Sequence, residues 1–124
     1  MADFDSVLTA GIGDAIAISP EISAKVLRTG VDGSPVALEV VFGPGARWPE
    51  VDVHASSAEV IYVLSGELRT GIPGSGVDKV GDTCPAGTLV CAELGTSHQP
   101  YSETGCTLLV VYPDSWKGSV PVAA

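Results

Sequence analysis

The chain has 124 residues, 45% of them hydrophobic, and its six basic side chains stand against fifteen acidic ones for a formal charge of −9. That length suits one domain with a core of its own, and the charge repels phosphate backbones and anionic membrane surfaces, which excludes nucleic acid and membrane from the expected partners. No apolar run approaches the roughly 20 residues of a membrane span, and the opening MADFDSVLTAG has no basic stretch ahead of an apolar one, so a cytoplasmic protein is expected.

Fifteen glycines and nine prolines without any low-complexity tract favour many short strands joined by tight turns over a helical bundle. The expected class is all-β. Cys84, Cys91 and Cys106 are odd in number and lack C-x-x-C spacing, which fits reduced thiols. Cys91 and Cys106 stand in apolar runs and read as small buried hydrophobes.

In chain order, residues 1 to 14 are weakly patterned and read as an arm or first edge strand. Short strands are predicted from Ala15 to Ser19 and from Ile22 to Arg28, broken at Ser19-Pro20 and ended by the turn VDGSP. PVALEVVFG follows as a strong strand, stopped by Gly43-Pro44-Gly45. In RWPEVDVH the alternation sets Glu50, Asp52 and His54 on one face of a short strand. Glu59 then opens EVIYVLSG, where Glu59, Ile61 and Val63 share one face and Val60, Tyr62 and Leu64 the other. Both faces are apolar, as in TLLVVYP from Thr107 to Pro113, so these strands should be covered on both sides. A second subunit is one possible cover, and a homodimer is expected.

GIPGSG reads as a flexible hairpin connection and DKVGDTCPAG as a second turn-rich piece leading to the strand GTLVCA. His98 follows in GTSHQP, and the tail over 114–124, with Trp116, reads as a strap on the surface. Asp52, His54 and Glu59 therefore lie close in sequence, with the second imidazole about forty residues on. Two imidazoles and a carboxylate suit a divalent metal.

These residues resemble the cupin motifs. The first motif reads here as Gly45, Asp52-x-His54, Glu59 and Gly66; the second as Gly87, Glu93-x-Gly95 and His98. The resemblance runs from about Ile22 to Pro113, and within cupins FGPGARWPEVDVH and EVIYVLSGEL look most like the cupin domain of ChrR-like anti-sigma factors and small stand-alone relatives. It implies a double-stranded β-helix, or jelly-roll barrel, with His54, Glu59 and His98 as metal ligands. Three positions depart from the pattern: Asp52 stands for a histidine, Glu93 for a proline, and Ser102 for an asparagine.

The arrangement of Asp52 is also similar to the cupin 3-hydroxyanthranilate dioxygenases, where the aspartate sits beside the metal. Their two arginines are Glu50 and Ser102 here, which argues against the same substrate. Two imidazoles and one carboxylate form a facial triad that leaves positions open on Fe(II), the favoured metal, and the same set takes Zn, Mn or Ni. Asp52 is the expected proton acceptor, with Glu50 and Tyr101 as candidate contacts to a small-molecule substrate. Dioxygenation with carbon–carbon cleavage and non-redox isomerisation, cyclisation or lyase chemistry are both open; the alternative is a non-catalytic sensor that binds a metal or ligand.

Overall fold

The computed structural model describes residues 15–50, 57–70, 83–93 and 95–122, together with the backbone of 52–53. The expected arm over 1–14, the GIPGSG connection and His54 lie outside these residues. Among the described residues ten strands are formed: β1 Ala15–Ser19, β2 Ile22–Thr29, β3 Pro35–Phe42, β4 Asp52–Val53, β5 Glu59–Arg69, β6 Thr83–Pro85, β7 Leu89–Ala92, β8 Ser97–His98, β9 Cys106–Val111 and β10 Val120–Pro121. The only helical turn among the described residues is a 3-10 turn at Pro113–Ser115. No helix among them is long and apolar enough to cross a membrane.

The main sheet runs β1-β2-β3-β9-β5-β6, with β10 added to β2 and β7 to β5, and every ladder is antiparallel. A separate pair, β4 with β8, sets Asp52 opposite His98. Register explains the core. Ala24 pairs Val40, Val40 pairs Leu108 and Leu108 pairs Val63, so four strands place one row of buried apolar side chains on the same face. The adjacent inner row passes from Leu38 through Val110 to Ile61 and Val90. Ile22, Phe42, Ala46 and Leu68 extend the same cluster.

The outer face is different. Its row runs Glu39, Leu109, Tyr62, Leu89, and here Tyr62, Leu64 and Leu89 remain 39%, 46% and 60% exposed. Within a single chain the described residues cover β5 on one side only, although its sequence is apolar on both. This also corrects the expectation for Cys91. The period of two in β7 turns Ala92 inward and Cys91, paired with Val60, onto the open face, so Cys91 is exposed while Cys84 and Cys106 are buried.

The tail folds back over β2. Val120 pairs Thr29, the Arg28 guanidinium lies 4.5 Å from the Trp116 ring centroid, and Arg28 Nε donates to Ser119 Oγ at 2.6 Å.

Candidate metal centre

Glu59 begins β5 on its inner face, ahead of Ile61 and Val63, and is only 4% exposed. His98 ends β8 and is 8% exposed. The fold brings the two together: Glu59 Oε1 lies 3.3 Å from His98 Nε2, about forty residues apart in sequence. Burying a carboxylate is costly unless a cationic or hydrogen-bonding partner faces it, and the imidazole is such a partner.

Several backbone contacts fix where His98 stands. Gly95, at φ 86°, helps turn the chain after β7, and the Thr96 amide and hydroxyl both donate to the Glu93 carbonyl, at 3.1 and 2.6 Å. Glu93 thus contributes a backbone acceptor to this turn, a role that does not require proline. Beyond His98, the Trp48 amide donates to Pro100 O at 2.8 Å, the Ser102 amide to Ala46 O at 2.9 Å, and Gln99 Nε2 to Trp48 O at 3.0 Å. On the other side Arg69 and Tyr101 exchange both backbone bonds, at 2.7 and 3.0 Å. Ser102 is fully buried, and its hydroxyl donates to Glu67 O at 2.6 Å. The 98–102 segment is therefore clamped between 46–48 and the end of β5.

Behind Glu59 the inner face leaves a cavity of about 90 Å³. Its wall is built from apolar side chains including Val40, Phe42, Trp48, Ile61 and Leu108; Glu59 is the one carboxylate among the described lining residues. Phe42 and Trp48 stack there, with centroids 6.3 Å apart and planes 29° from parallel. Sequence reading missed this cavity. Its signal was present in the apolar alternation of β2, β3, β5 and β9, but that pattern does not distinguish a filled interior from a hollow one.

The other expected site residues fall as follows. Asp52 is opposite His98 in the β4–β8 register. Glu50 is exposed in a bend before β4, so the continuous strand expected over RWPEVDVH is not formed. Pro49 has no amide to give a ladder there. Tyr101 does not line the cavity. It sits between Arg47 and Arg69 in two isolated bridges, with the Arg47 guanidinium 4.4 Å from its ring centroid, and its buried hydroxyl has no hydrogen-bond partner among the described residues.

A buried carboxylate oxygen and an imidazole nitrogen on one another's doorstep are donors that fit Fe(II), Zn, Mn or Ni. Among the described residues no third His, Cys, Asp or Glu joins them; the expected third ligand, His54, is outside that set.

No family model matches the chain, and no curated protein matches it. Solved structures do. An RmlC-like cupin from Shewanella frigidimarina superposes with a TM-score of 0.61 at 20% identity, over 90% of this chain and 86% of that one. The polyketide cyclase RemF from Streptomyces resistomycificus gives 0.60 at 17% identity, over 89% and 74%. The anti-sigma factor ChrR of Rhodobacter sphaeroides, solved in complex with SigE, gives 0.57 at 19% identity, over 79% of this chain but 47% of its own. What these proteins share with this chain is the cupin fold, an all-β antiparallel jelly roll.

Proposed function

On that fold, we propose that the chain is a small metal-dependent enzyme acting on a small oxygenated organic molecule, with His54, Glu59 and His98 holding the ion. The observation that carries this reading is the buried contact between Glu59 Oε1 and His98 Nε2 beside an apolar cavity. Bound there, a divalent ion supplies a Lewis acid, and Fe(II) in addition a site for dioxygen. The chain's own residues do the rest. Glu59 and His98 fix the polar end of the site, the apolar wall excludes water, and the Asp52 carboxylate accepts a proton from the substrate.

Enzymes and a ChrR domain both occur among the similar structures. A second reading is a ligand-binding sensor, favoured by a cavity that can enclose a molecule with few polar groups engaged. Asp52→Asn separates the two, because an amide remains an oxygen donor but does not accept a proton at neutral pH. Metal analysis of the purified protein with oxygen uptake and substrate turnover reads the result. An enzyme using Asp52 as base keeps its metal and loses roughly 100-fold or more in turnover. Wild-type protein that takes up none of Fe(II), Zn(II), Mn(II) or Ni(II) overturns the metal reading, and full turnover in Asp52→Asn overturns the role of Asp52.

A further inference from the structure

The cavity wall says more about the ligand than the metal residues do. We infer that the molecule received here is an apolar one, about the size of a single ring, with one oxygen-bearing end directed at Glu59. Sugars, polyols and small dicarboxylates are excluded as the preferred class. The inference rests on the proposed site in one respect, that Glu59, with His98 against it, forms the polar end of the cavity.

Chemistry of the wall comes first. Apart from Glu59, only Trp48 and Tyr112 among the described lining residues have a polar side-chain atom; the remainder of these is aliphatic, aromatic or proline. A polyol entering this space would have most of its hydroxyls desolvated without partners, and each unpaired group weakens binding by roughly tenfold or more. In the metal-free chain a dicarboxylate would bring two negative charges beside the buried Glu59 carboxylate, in surroundings too apolar to screen them. A ring with one hydroxyl or carbonyl meets neither penalty. Its apolar body covers the Val40, Ile61 and Leu108 side chains, and the Phe42 and Trp48 rings offer it aromatic surface.

Size limits how the ring is seated. About 90 Å³ is less than the roughly 150 Å³ of an apolar protein cavity that encloses benzene, so a single ring enters in part and the rest of it extends outward. Growth beyond that is possible at one place. Ile18, on the edge strand β1, is a lining residue that is still 39% exposed, so it forms the rim through which a ligand enters or protrudes.

Phenol is a suitable probe, with glucose and oxalate as the contrasting classes, each titrated into the 124-residue metal-free chain while backbone and methyl NMR signals are followed. Phenol is expected to shift the methyls of Val40, Ile61 and Leu108 saturably, while glucose and oxalate leave them unmoved at the same concentrations. Ile18→Trp, at the exposed rim, should weaken phenol binding at least tenfold with Zn(II) uptake unchanged, and Leu108→Phe does the same from inside if the rim variant folds poorly. Saturable shifts by glucose or oxalate, or phenol shifts confined to signals outside the cavity, overturn the assigned class. Zn(II) uptake by the wild-type chain is measured alongside. Uptake without phenol binding sinks the ligand class and leaves the metal reading standing; phenol binding without uptake does the reverse.

Discussion

At the scale of single residues, the decisive feature is a carboxylate and an imidazole buried against each other. Removing one member of such a pair is destabilising because the other remains in apolar surroundings. In metal-free protein, His98→Ala should therefore cost about 3 kcal/mol, and the Glu59→Gln/His98→Ala double variant should recover part of that loss, since a neutral amide is easier to bury. Urea unfolding of the wild type, both single variants and the double variant measures the coupling. Metal content should fall in each, and a His98→Ala protein with full metal occupancy would remove His98 from the ligand set.

The thiols give a second residue-scale test. Burial pushes the Cys106 thiol above its ordinary value of 9.0; a hydrogen bond with Ser102 opposes the shift and the Glu67 charge adds to it. The folded chain thus keeps this proton longer than the unfolded one. The linked stability is intact below the ordinary thiol value and is lost as pH rises through the higher folded one. Iodoacetamide at neutral pH should modify exposed Cys91 first and reach Cys84 and Cys106 only on unfolding. Labelling of Cys106 as fast as Cys91 would contradict its burial.

Among the elements, β5 connects core and site, with Glu59 at one end and Gly66 near the other. Gly66 is at φ 73°, and a Cβ there would run into the Gly105 carbonyl oxygen and come within 2.9 Å of Cys106 Cα, both backbone atoms that cannot swing aside. Gly66→Ala should cost more than about 3 kcal/mol, through strain at a positive φ and displacement of β9. Gly87 has a similar φ of 89° but open space around it, so Gly87→Ala should cost only about 1–2 kcal/mol. Thermal or urea unfolding of the two variants compares them directly. Equal losses would mean that the β5–β9 approach is not what demands glycine at 66.

For the whole molecule, the open outer face carries the remaining expectation. A net charge of −9 opposes self-association in general, yet Tyr62, Leu64 and Leu89 lie close together on a sheet face whose row runs on to the oppositely charged pair Glu39 and Lys25. The homodimer expected from the two-sided apolar strands would use this face. Sedimentation velocity should then find a dimer that Leu64→Lys converts to monomer with little change in unfolding midpoint; a wild-type monomer at high micromolar concentration would refute it.

The sequence by itself determined the strand pattern and the all-β class, because strand periodicity and turn chemistry are local: PVALEVVFG becomes β3, and TLLVVYP closes on the same sheet as β9. It also singled out Glu59 and His98, whose types and spacing are readable without coordinates. Two things were decided only by tertiary structure. Cys91 took a position that its apolar run did not foretell, since which face of a strand is covered depends on what packs there. The cavity belongs to no single segment. Residues from β1, β2, β3, β5 and β9 surround it, and whether their apolar faces meet or leave a hollow depends on side-chain volumes summed across strands, which no local pattern records.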